Sequence, residues 1–96
     1  MVYNSNEKKI ILFTIQGCVP CLSFKPLVEK VAKELNWKLE IYDLMKASFD
    51  IKKMAHTLDI NVFPTIVVIN GENINKIEGS VSENKIKSSL QDSREK

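Results

Sequence analysis

The sequence predicts an α/β domain, a four-stranded mixed sheet flanked by three helices in the order βαβαββα. Three observations lead there. A β-branched and aromatic run, Lys9 to Ile15, precedes a stretch whose apolar residues recur every three or four positions, and the same alternation repeats from Lys38. Asn70-Gly71 then separates two further strand-like runs, a strong hairpin signal. Strands joined through a helix lie parallel by a right-handed crossover, and the hairpin adds an antiparallel pair.

Lys9 to Ile15 is short, apolar and ended by Gly17, the pattern of a strand buried on both faces. From Pro20 to Asn36, Phe24, Leu27, Val28, Val31 and Leu35 form one stripe of an amphipathic helix, with Pro26 inside it as a bend. Lys38 to Asp43 alternates Leu39 and Ile41 with Lys38 and Glu40, a second strand. Trp37 and Tyr42 are expected to pack beside or on it. Ser48 caps a helix running to Asp59, with Ile51, Met54, Ala55 and Leu58 inward. Thr65 to Ile69 and Ile74 to Glu78 are joined through Asn70 to Asn73. Ser82 caps a last helix in which Ile86 and Leu90 face inward and Val81 staples onto Ile86.

Ninety-six residues make a single domain, 1–96, with 1–8 and 92–96 expected to be flexible. The composition, 44% apolar and 27% charged, is that of an ordered globular protein. A net charge of +2, without a basic block, argues against a nucleic-acid partner. Met1 to Lys9 lacks the apolar run of a secretory signal, and no stretch approaches the ~20 apolar residues of a membrane span. The expectation is a cytoplasmic, monomeric protein with no membrane partner.

Cys18-Val19-Pro20-Cys21 contains the only two cysteines, one helical turn apart. In a reducing compartment they are not a structural staple, which leaves catalysis or metal binding. Cys18 falls where a strand meets a helix, so unpaired N–H groups and the helix dipole favour its thiolate, lowering its pKa below the ~8.5 of free cysteine. Cys18 is therefore the candidate nucleophile. Cys21 should point beneath the first turn, poorly exposed, and act as the resolving thiol. Pro20 lacks the N–H that would otherwise reach the Cys18 sulfur, which makes the dithiol a better electron donor. Downstream, a cis bond between Phe63 and Pro64 would set the backbone at Phe63 beside the sulfurs, where an extended substrate can pair with it.

These residues resemble the thioredoxin family from Ile10 to Leu90, with some glutaredoxin features. Phe13 lies five residues before the first cysteine and Pro26 five after the second, as in that family; Phe63-Pro64-Thr65 matches its cis-proline segment, and Asn70-Gly71, Gly79 and Ser82 follow its spacing. The resemblance implies a thioredoxin-like fold and reduction of protein disulfides through a redox-active Cys18–Cys21 disulfide, with no other cofactor and no metal. Gly17, Val19, Pro20, Phe63, Pro64 and Thr65 would contact substrate, and a thioredoxin-reductase-like protein or glutathione would return electrons. Gly17 stands where the family commonly has tryptophan, and Leu12 where it has a buried acid that assists the resolving cysteine. With only eight polar-leaning residues before Lys9, the leading strand and helix of a full thioredoxin are expected to be missing. The order Phe-Pro-Thr and the lack of paired glycines after the hairpin speak against a glutathione-dependent enzyme.

Other readings are a zinc or iron–sulfur site shared by two chains, and a non-catalytic interaction module. His56, the only histidine, has no cysteine near it in sequence and reads as a surface helix residue; Asp43 reads as a turn or capping residue. Lys52-Lys53 and Lys85 with Lys87 read as solvated helix faces.

Overall fold

In a computed structural model describing residues 8–71 and 73–92, β1 (Lys8–Thr14) forms the spine of the sheet. Ile10, Ile11, Leu12 and Phe13 are between 0% and 1% exposed, so both faces of this strand are covered. Each such side chain withdrawn from water contributes ~1.5–3 kcal/mol, which is why this segment takes the centre. β2 (Lys38–Asp43) pairs with it in parallel, β3 (Thr65–Asn70) antiparallel on its other side, and β4 (Asn73–Glu78) closes the order β2-β1-β3-β4. The flexible ends expected at 1–8 and 92–96 lie outside the described residues, except that Lys8 opens β1 and Asp92 closes the last helix.

Two cores sandwich the sheet. On one face α1 (Val19–Leu35) and α3 (Glu83–Asp92) cover Ile10, Leu12, Ile66 and Val68 with Phe24, Val28, Val31, Ile86 and Leu90. On the other, α2 (Phe49–Thr57) lays Ala55, Ile51 and Met54 over Ile11, Phe13 and Val67. The expected fold class is the observed one, and the expected stripes are the buried ones. Trp37 packs into the first core and Tyr42 into the second, and Val81 joins the core that holds Ile86.

The ends of elements follow local chemistry. Ser48 and Ser82 accept from the N–H groups of Ile51 and Lys85, as N-caps do. Asn36 ends α1 in the left-handed conformation, and the Trp37 N–H closes on the Ala32 carbonyl at 2.8 Å. α1 runs on through Pro26, which is exposed. α2 stops at Thr57 rather than Asp59 because Asp59 adopts φ 60°. Asn70 pairs with Asn73, so each strand of the hairpin extends one residue further than the sequence suggested. Gly71, at φ 64°, supplies the positive φ that tight hairpin loops need first.

A charge network ties α1 to α3. Lys87 lies 3.0 Å from both Glu34 and Glu83, and Lys30 lies 3.3 Å from Glu83. Hydrogen bonds from Lys87 and then Lys30 hold the Glu83 carboxyl below its ordinary range, and donating to Glu83 and then Glu34 raises Lys87. A carboxylate with a lowered folded-state pKa stabilises above its unfolded value, and that contribution is lost as pH falls through the folded one. Glu83→Gln is therefore expected to lower the melting temperature slightly at neutral pH. The gap from wild type should close below the carboxylate range and shrink in high salt, as read by thermal unfolding across a pH series.

Candidate active site

Between the buried spine and the first helix the chain has four residues in which to reverse direction. Ile15 to Cys18 do it as a turn, with the Cys18 N–H donating to the Ile15 carbonyl at 3.1 Å and Gly17 at φ 85°. A positive φ at the third position of such a turn excludes most L residues, which accounts for glycine beside the cysteine. The turn ends β1 at Thr14, one residue before the sequence pattern does.

Cys18 is the N-cap of α1, in extended conformation (φ −82°, ψ 103°), and its sulfur accepts the Cys21 N–H at 3.2 Å. Val19 and Pro20 occupy the first two helical positions, so Pro20 removes one of the N–H groups that would face the sulfur and Cys21 supplies the next. Cys18 and Cys21 are joined as a disulfide with Cα atoms 5.3 Å apart, inside the usual span. Cys18 is half-buried and Cys21 only 4% exposed, the asymmetry expected from the sequence. Val19 and Leu22 stand out beside them, 72% and 75% exposed.

The second part of the site lies at the same end of the sheet. Phe13 pairs with Thr65, so one more step in register sets Pro64 against Thr14, and the segment before β3 leaves the sheet where Cys18 does. The Phe63–Pro64 bond is cis. Phe63 lies ahead of both ladders of β3 and is half-buried against the α2 core. The Pro64 carbonyl accepts the Gly79 N–H at 2.7 Å, and the Thr65 hydroxyl donates to the Val62 carbonyl. Thr65 is 0% exposed, so its side chain braces the loop from inside.

The sequence model of the family described as Thioredoxin matches residues 1–92. The chain belongs to the thioredoxin family. Solved thioredoxins share its fold: that of Fasciola hepatica, at 24% identity, superposes with a TM-score of 0.74 over 90% of this chain and 80% of that one. A point-mutant thioredoxin from Halobacterium salinarum (22%, TM-score 0.76, 90% and 74%) and mitochondrial thioredoxin 3 from Saccharomyces cerevisiae in oxidised form (20%, 0.76, 91% and 79%) do so too. No curated protein sequence matches it. A thioredoxin-family chain with a disulfide-forming cysteine pair at this position is a thiol–disulfide oxidoreductase.

For a thioredoxin-family site, the floor is unusual. Leu12, at the family's acid position, is fully buried in the α1 core, paired in register with Ile41. One layer outward, Thr14 pairs with Asp43, and both line a cleft of about 450 Å³ together with Cys18, Cys21, Leu22 and Lys25. Asp43 does serve the turn, its Oδ1 accepting the Met45 N–H at 2.8 Å, as the sequence suggested. The signal for its place on the cysteine cleft was its position at the end of the strand, on the side where sites gather in open sheets. His56 is exposed on α2, away from the cysteines' cleft. Among the described residues, no three of the His, Cys, Asp and Glu side chains come close enough to hold a metal.

Two substitutions test this construction. Gly17→Ala forces a side chain into the left-handed region and is expected to destabilise by about 1 kcal/mol, although nothing lies within 4 Å of the added Cβ. Thr65→Val keeps the buried volume but strands the Val62 carbonyl, for an expected loss of about 1–2 kcal/mol in urea unfolding.

Proposed function

We propose that this thioredoxin-family chain reduces disulfides in proteins, Cys18 attacking and Cys21 resolving. The observation that carries the reading is the Cys18 sulfur at the N-cap of a 17-residue helix, with a buried thiol partner three residues on. Once the disulfide is opened, the N–H of Cys21 and the positive end of the helix dipole favour the Cys18 thiolate. The thiolate attacks a substrate disulfide, the Cys18–substrate bond forms, and one substrate sulfur leaves. Cys21 then displaces the second, restoring the Cys18–Cys21 bond.

Substrate would lie across Gly17, Val19 and Pro20 on one side and the Phe63 backbone on the other, since the Pro64 and Thr65 side chains expected to contact it are fully buried. The exposed Val19 and Leu22, with Val62 at 41%, offer it apolar contact. The Phe63 backbone, outside the sheet ladders, is placed to pair with an extended segment, while buried Thr65 contributes by holding that segment's shape. With Pro20 removing one donor to the thiolate, the pair is a reductant, with a potential nearer ~−270 mV than ~−120 mV. The protein acts as a cytoplasmic monomer recharged by a thioredoxin-reductase-like donor; turnover sustained by glutathione alone would move it to the glutathione-dependent class.

Cys18→Ser is expected to abolish insulin-disulfide reduction. Cys21→Ser is expected to accumulate mixed disulfides through Cys18, visible as non-reducing adducts that dithiothreitol releases. If Cys18→Ser leaves the rate unchanged, the reading is wrong.

A further inference from the structure

Resolution of the mixed disulfide requires Cys21 to react as a thiolate, and a thiol 4% exposed beneath a helix cannot hand its proton directly to bulk water. Leu12, where the family has its acid, is fully buried hydrocarbon, and Ile41, its partner in register, lines the cysteines' cleft with another apolar side chain. The cleft that reaches Cys21 is open instead at the next layer, between the ends of β1, β2 and α1. The charged groups lining it are Asp43 from β2 and Lys25 from α1, while β1 contributes the neutral Thr14. The Lys25 side chain offers hydrogen-bond donors only. Among the described residues, Asp43 is the carboxylate that lines the cleft.

Its position is fixed from two sides. The Leu44 N–H donates to the Thr14 carbonyl at 3.0 Å, and the Met45 N–H donates to Asp43 Oδ1 at 2.8 Å. The carboxylate so held belongs to a residue lining a cleft with room for several water molecules.

We propose that Asp43 is the proton acceptor for Cys21, taking its proton through water in this cleft; the inference rests on the reductase reading above. The Cys21 S–H bond breaks and its proton passes to the Asp43 carboxylate. The Cys21 thiolate then attacks Cys18 Sγ, the Cys21–Cys18 bond forms and the Cys18–substrate bond breaks. Its electron pair leaves on the substrate sulfur, which takes up the proton from Asp43 or from solvent. Two electrons pass from the dithiol to the substrate disulfide, and the carboxylate is restored.

The test separates the two sulfurs. Reduced protein mixed with 5,5′-dithiobis(2-nitrobenzoate) releases one thionitrobenzoate as Cys18 attacks and a second as Cys21 resolves, both read at 412 nm. With Asp43 accepting the proton, the second phase in wild type is expected to be nearly independent of pH between the carboxylate and thiol ranges. In Asp43→Asn it should fall tenfold per pH unit below the thiol range, with a loss of about tenfold or more at pH 7 and convergence with wild type in alkali, while the first phase is unchanged. Asparagine keeps a carbonyl for the Met45 N–H, and Asp43→Ser, which also keeps an acceptor, carries the same expectation should the first variant fail to fold. A wild-type second phase that itself falls tenfold per pH unit overturns the proposal. So do variant and wild-type second phases that coincide, or two phases slowed equally at every pH. Absence of the first phase in wild type would sink the reductase reading itself, whereas a normal first phase with an unaffected second sinks only the role of Asp43.

Discussion

A strand covered on both faces must end somewhere, and where β1 ends its chain has to turn without stranding polar backbone in the apolar interior. The turn from Ile15 to Cys18 meets that demand by closing one hydrogen bond on itself and starting a helix at once. The first N–H groups of a helix have no partner within it, so something must face them. Here it is sulfur. The position of the Cys18 sulfur is thus a by-product of finishing a buried strand, and the burial of Ile10 to Phe13 holds it in place.

The opposite wall is built with similar economy. A cis peptide, a buried hydroxyl turned back on the Val62 carbonyl and the Gly79 N–H on the Pro64 carbonyl hold the segment before β3 without ladder bonds of its own. Lys76 reaches from β4 to the Leu58 and Asp59 carbonyls, each at 3.0 Å, placing positive charge at the C-terminal end of α2. Two elements that never pair are thereby tied around the loop that carries Phe63.

Much of this was legible in the residues. A continuous apolar run marks β1, which is covered on both faces, while period-two alternation marks β2 and a 3.6 period all three helices, which bury one face or stripe against the sheet. Cys18 and Pro64 were legible as well, since a cysteine pair at a strand-to-helix junction and a proline heading a strand carry specific backbone demands. What stayed hidden depends on three dimensions at once. Asp43 and Cys21 come from different elements and share a cleft only through the parallel register of β1 and β2. Thr65 reads as a neighbour of the site, yet its burial and its bond to Val62 turn it inward. The early stop of α2 rests on Asp59 in a conformation that its residue type permits but does not announce.

The outer strands carry a further consequence. β2 presents Lys38, Glu40 and Asp43 along one margin, and β4 presents Asn75, Lys76 and Glu78 along the other. Among the described residues β2 and β4 are the sheet's outer strands, and charged and amide side chains there discourage a foreign chain from extending the ladder into a fibril.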